Sequence, residues 1–118
     1  MTMEKDIFDT LKGFVGNRVF PDFAPVETPR PYITWQQVGG QVIKTLDNTT
    51  PNKKNAVVQV NIWADTRAAA NPLALQVENA LRTSSLFLAI PDAAFVGDYD
   101  PDIPVFGTRQ DFSIWSTR

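Results

Sequence analysis

With 118 residues, no cysteine and no histidine, the chain can bury one domain-sized core but lacks disulfides, thiolate or imidazole catalysts and the commonest transition-metal ligands. A net charge of -2 without a long run of either sign gives no reason to expect nucleic acid or an anionic membrane surface as the main partner. No stretch approaches the roughly 20 apolar residues of a membrane-spanning helix, and the opening Met1–Asp6 is too acidic for a signal peptide, so a soluble, unexported chain is expected.

In chain order, Ile7, Phe8, Leu11, Phe14 and Val15 recur at the spacing of one helical stripe, which predicts a helix over Met3–Gly16. Thr2 is its N-cap, Glu4 and Asp6 suit the positive end of the helix dipole, and Gly16-Asn17 stops it. Gly13 is expected to let this helix lie close to a sheet. From Arg18 to Pro31 apolar residues alternate with prolines, which excludes both helix and central strand. An extended crossing connection is predicted there, with Phe20 and Phe23 covering the edge of the core.

Tyr32–Val38 is rich in strand formers, with Ile33, Trp35 and Gln37 on one face and Tyr32, Thr34, Gln36 and Val38 on the other. Gly39-Gly40 interrupts it, and Gln41–Leu46 resumes an extended pattern that continues the strand past a bend. Asp47–Asn55 reads as a polar loop carrying Lys53 and Lys54, the weakly basic tip of an antiparallel hairpin. Ala56–Ala64 is the spine of the fold. Val58, Val60 and Ile62 make one aliphatic face, and Val57, Gln59, Asn61 and Trp63 make a mixed one. That pattern suits a central strand with helices on its dry face and something partly polar, such as another subunit, on the wetter face.

Asp65 or Thr66 caps a second helix, with Asn71-Pro72 as the alternative start. Ala70, Leu73, Ala74, Val77, Ala80 and Leu81 form its buried stripe. Leu86–Ile90 is too short an apolar run to assign. Ala93–Tyr99 reads as a strand, Asp100–Pro104 as a turn, and Phe106–Trp115 as a final strand. In the last, Arg109, Asp111, Ser113 and Trp115 face away from Gln110, Phe112 and Ile114. The predicted fold is α+β, one domain over residues 1–118 with an antiparallel or mixed β-sheet of about four to five strands. Its two α-helices pack on one face, in the order α-β-β-α-β-β.

Chemistry has little to work with. Asp98, Asp100, Asp102 and Asp111 form the one carboxylate constellation, but no glycine or twelfth-position glutamate completes a calcium loop, and these residues read as turn formers. An Asp-based metal-dependent hydrolase built on Asp98, Asp100 and Asp111 is the enzymatic alternative. Gly39-Gly40 is not a phosphate cradle, and no histidine activates a serine or threonine. No catalysis, metal or cofactor is expected. The surface is unusual in its aromatic and arginine content, and these residue types are enriched at protein interfaces. The candidate interface set is Tyr32, Trp35, Trp63, Arg109, Asp111 and Trp115, with Lys53 and Lys54 at the hairpin tip. Ordinary packing explains each alone, and together they favour assembly. A small intracellular protein-binding adaptor is the alternative within the same fold.

Several segments, taken in order, carry a resemblance. They are Ile7–Leu11, Arg18–Pro21 with Ala24-Pro25, Pro31-Tyr32-Ile33, Val58–Ala64 before an alanine-rich helix, Tyr99-Asp100 and Arg109–Trp115. Over nearly its whole length the sequence resembles the tail completion or tail terminator family of long-tailed bacteriophages, from a free phage or a prophage. It departs from the family in the turn before the last strand, Asp100 to Gly107 with Pro101 and Pro104. The resemblance implies a virion structural protein without enzymatic activity, made in the host cytoplasm. It also implies a ring, commonly hexameric, at the head-proximal end of the tail, assembled from subunits that can be monomeric beforehand. Its expected partners are further copies of itself, the tail tube protein and a head-completion or connector protein. A ring needs one surface of a subunit to meet a different surface of its neighbour, and the mixed face with Trp63, Arg109 and Trp115 is the expected contributor.

Overall fold

The computed structural model describes residues 2–42 and 53–117. Helix α1 covers Met3–Leu11, with the Thr2 hydroxyl accepting from the Lys5 backbone N–H at 3.2 Å. A 3₁₀ turn at Lys12–Phe14 follows, and the helical path ends at Gly16 and Asn17, both in the left-handed region. Nothing lies within 4 Å of a side chain built on Gly13, so the close approach expected there does not occur. Ile7, Leu11 and Val15 are buried, while Phe14 faces solvent.

Six strands form one mixed sheet in the order β1-β2-β3-β6-β4, with β5 also paired to β6. The strands are β1 (Val19–Pro21), β2 (Tyr32–Gly39), β3 (Lys53–Ala64), β4 (Leu88–Pro91), β5 (Val96–Asp100) and β6 (Val105–Thr117). Two of them exceed the sequence reading. The connection expected at 18–31 contributes β1, a three-residue parallel edge strand in register with Ile33–Trp35, where proline is tolerated because its missing N–H faces away from the ladder. The unassigned apolar run becomes β4 against the end of β6.

The β2–β3 pair is the predicted antiparallel hairpin. The strand ends at Gly39, and Gln41 and Val42 belong to no strand, so the expected continuation fails where it can be seen. The rest of it and loop residues 47–52 lie outside the described residues. Gly40 adopts φ 152, and a Cβ on it would stand 2.5 Å from the Asn55 carbonyl oxygen, which explains the glycine at this exit. Lys53, Lys54 and Asn55 are already strand, paired with Thr117, Ser116 and Trp115. The loop reading was misled there because lysine and asparagine are poor strand formers and the partner strand decides.

Helix α2 covers Arg67–Thr83 and is capped by the Thr66 hydroxyl, which accepts from Ala69 N–H at 3.1 Å. It runs through Pro72, so the alternative start at Asn71-Pro72 is excluded. Both helices cover one face of the sheet. There Leu73, Val77 and Leu81 of α2 and Ile7 and Leu11 of α1 meet Ile33, Val58, Val60, Ile62, Phe112 and Ile114. Each such side chain contributes about 1.5–3 kcal/mol by leaving water. Gln110 shares this row, and its amide donates to Glu78 Oε1 at 2.7 Å and to the Ala93 carbonyl at 2.8 Å, so its burial leaves no donor unpaired. The molecule is elongated, 52 × 25 × 22 Å, because β3 and β6 run its length. Among the described residues no helix is long and apolar enough to cross a membrane.

Candidate functional site

Among the described residues the other face of the sheet carries no helix, and strand register arranges its side chains in ranks. Tyr32 of β2 pairs with Trp63 of β3 and Trp63 with Gly107 of β6; Thr34 pairs with Asn61 and Asn61 with Arg109; Gln36 pairs with Gln59 and Gln59 with Asp111. Farther along, Val57 opposes Ser113 and Asn55 opposes Trp115. Leu88, Ile90 and Val96 line the outer edge and are 56%, 48% and 53% exposed. The face is therefore aromatic at both ends, polar in the middle and apolar along its outer edge.

Trp63 is held flat at one end. Its indole Nε1 donates to Thr34 Oγ1 at 3.3 Å. A Cβ on Gly107 would lie 2.7 Å from its Cε3 atom, so only glycine leaves room for the ring. Around it the chain makes a concavity of about 350 Å³ walled by Tyr32, Trp63, Ile103 and Val105, with Asp22 and Asp100 as its charged members. Asp22 adopts φ 66 and donates its N–H to the Trp35 carbonyl at 2.7 Å. The turn it makes leaves Phe23 79% exposed. That corrects the expectation that Phe23 covers the core; Phe20 is half-buried. A wider groove continues past Tyr32 between Ala24–Arg30 and Ile103-Pro104, where Arg30 Nε meets Asp65 Oδ1 at 2.7 Å. Burial pushes the Tyr32 phenol up from its ordinary value of 10.0; Asp100 adds to the rise and Arg30 opposes it.

The structure brings together Tyr32, Trp63, Arg109, Asp111 and Trp115 on this open face. Arg109 is exposed, and Asp111 is half-buried with Oδ1 enclosed and without a hydrogen-bond partner. Trp35 is not with them: it is 6% exposed and packs in the helix-side core, as its alternation with Ile33 requires. Lys53 and Lys54 are exposed at the far end of β3. There Lys53 borders a second concavity of about 470 Å³ with Leu86, Leu88 and Trp115.

Asp98 and Asp100 stand opposite Gly107 and Val105, whereas Asp111 stands opposite Gln59, at least four residues or about 13 Å away along β6. The hydrolase constellation is thus not assembled, and no group of three potential metal-binding side chains occurs among the described residues. Sequence reasoning missed the exposed Phe23, Val26 and Ile103 and the apolar outer edge. Phenylalanine and valine set between Pro21, Pro25 and Pro29 were the available signal, since such a segment has no ladder to bury them. No curated protein matches the chain. The family model described as tail completion protein gp17 matches residues 9–117, nearly the whole chain, and the chain belongs to this family of phage tail completion proteins.

Proposed function

We propose that the protein completes the tail as a ring of identical subunits, a hexamer, that caps the tube at its head-proximal end and helps join tail to head. It acts by protein–protein assembly and without catalysis. The observation that carries this reading is the helix-free face of the sheet, where Tyr32, Trp63, Arg109, Asp111 and Trp115 share one surface with the exposed Leu88, Ile90 and Val96. Exposed apolar side chains along one sheet edge mark an interaction site, and aromatic residues with arginine are the types that anchor interfaces. Family membership supplies the setting, the phage tail. The partners proposed are further copies, the tail tube protein and a head-completion or connector protein.

Light scattering over a wide concentration range, alone and with purified tail tubes, tests the reading. The expected result is a closed ring, or a monomer that becomes stoichiometric with tube ends. A monomer that ignores tubes at every concentration would overturn it in favour of the adaptor alternative.

A further inference from the structure

We propose that copies of the chain dock head to tail: the Lys53–Lys54 end of one sheet seats against the acidic, aromatic concavity at the opposite end of its neighbour. The two sites sit at the two ends of one strand. From Lys53 to Trp63 β3 advances about 33 Å along an uninterrupted β3–β6 ladder, so they cannot meet within one molecule. Among the described residues Asp22 and Asp100 are the charged ones lining the concavity at the Trp63 end, and no cation lines it. Phe23 and Ile103 stand at its rim, 79% and 54% exposed. At the other end Lys53 borders a concavity formed with Leu86, Leu88 and Trp115, which among the described residues no acidic side chain lines.

Charge and shape therefore complement each other twice. Lys53 on the open face of one copy, with Lys54 next to it at the strand end, meets Asp22 and Asp100 of the next, and the projecting Phe23 enters the hollow between Leu86, Leu88 and Trp115. Complementary potentials fix register and reject wrong partners, and an aromatic anchor against Leu86, Leu88 and Trp115 provides the contact energy. The occupant is a second copy because one chain presents both halves of the match. In this head-to-tail arrangement each copy keeps one end free for the next, so the contact is heterologous and propagates until rotation closes it. This rests on the ring reading above and gives it an interface.

The test follows assembly by light scattering, alone or on tail tubes, for wild type and four variants. Lys53→Glu with Lys54→Glu should raise the concentration for half-assembly about tenfold or more, because like charges then face each other. Asp22→Lys with Asp100→Lys should do the same. Carrying all four substitutions in one chain swaps the charges and should return assembly to wild-type concentrations. Phe23→Ser alters a side chain already in solvent, so it leaves melting unchanged and keeps the test decisive if the left-handed backbone at position 22 rejects lysine; it too should weaken assembly. Variants that all assemble like wild type, or a folded charge-swap chain that fails to restore assembly, would overturn the head-to-tail contact and leave the ring reading standing. Wild type that assembles neither alone nor on tail tubes would overturn both.

Discussion

On β3, Val58, Val60 and Ile62 are 0%, 3% and 2% exposed, while the alternating Gln59, Asn61 and Trp63 on the same strand remain half-buried. Two surfaces separated by the thickness of one sheet thus follow different rules. The helix-covered face is fixed by volume: its side chains are close-packed and any change of size is felt. The open face is fixed by register, which sets the ranks of aromatic, amide and charged groups but leaves most of them free of tight neighbours. Stability resides on the first, and the proposed recognition uses the second.

Substitutions that separate these roles sharpen the contrast. The largest effect belongs to Phe112, fully buried on the helix side. Phe112→Ala should lower unfolding free energy by about 3–5 kcal/mol, read as a shifted denaturant midpoint with an unchanged slope. A loss below about 1 kcal/mol would mean that the core collapses into the space and is not closely packed.

Gly107 is the crowded point of the open face and gives a middle value. Gly107→Ala forces Trp63 off its place over the sheet, at a cost of about 1–3 kcal/mol, with tryptophan emission moving toward that of solvated indole. Unchanged emission and stability would show that the indole does not lie across Gly107.

The smallest effect is a pH dependence at Tyr32. Its phenol titrates above the ordinary 10.0 of an unfolded chain, chiefly through burial, so the folded state holds that proton more tightly. Stability from this group is therefore intact below pH 10 and is lost as pH rises past it through the raised folded value. Tyr32→Phe should flatten that part of the decline in denaturant midpoints measured between about pH 9 and pH 11. An identical decline in the variant would assign it to other groups.

Alternation was the most reliable text in the sequence. It placed Val58, Val60 and Ile62 against the helices and Trp63, Arg109 and Trp115 opposite them, because a two-residue period survives any detail of packing. It also put Trp35 beside Ile33, and listing Trp35 with the interface by residue type went against that signal. The edge strands were harder to read. Val19–Pro21 and Leu88–Pro91 are too short to show a period, and each is strand because a longer neighbour offers it a ladder. The concavity near Trp63 was invisible, since it joins Asp22 to Asp100 and Ile103 across a distance in sequence that no local pattern spans. The family, by contrast, was legible from the order of segments along the whole chain, and the match over residues 9–117 agrees with it.

The β3–β6 ladder pairs residues from Lys53–Thr117 to Ala64–Phe106 without a register break. Such a ladder works as a ruler. Removing or adding one residue would turn every later side chain to the wrong face, so the distance between its ends can change only by two residues at a time, in steps of about 7 Å. Whatever is built by joining those ends has its dimensions quantised by the pleat of the sheet.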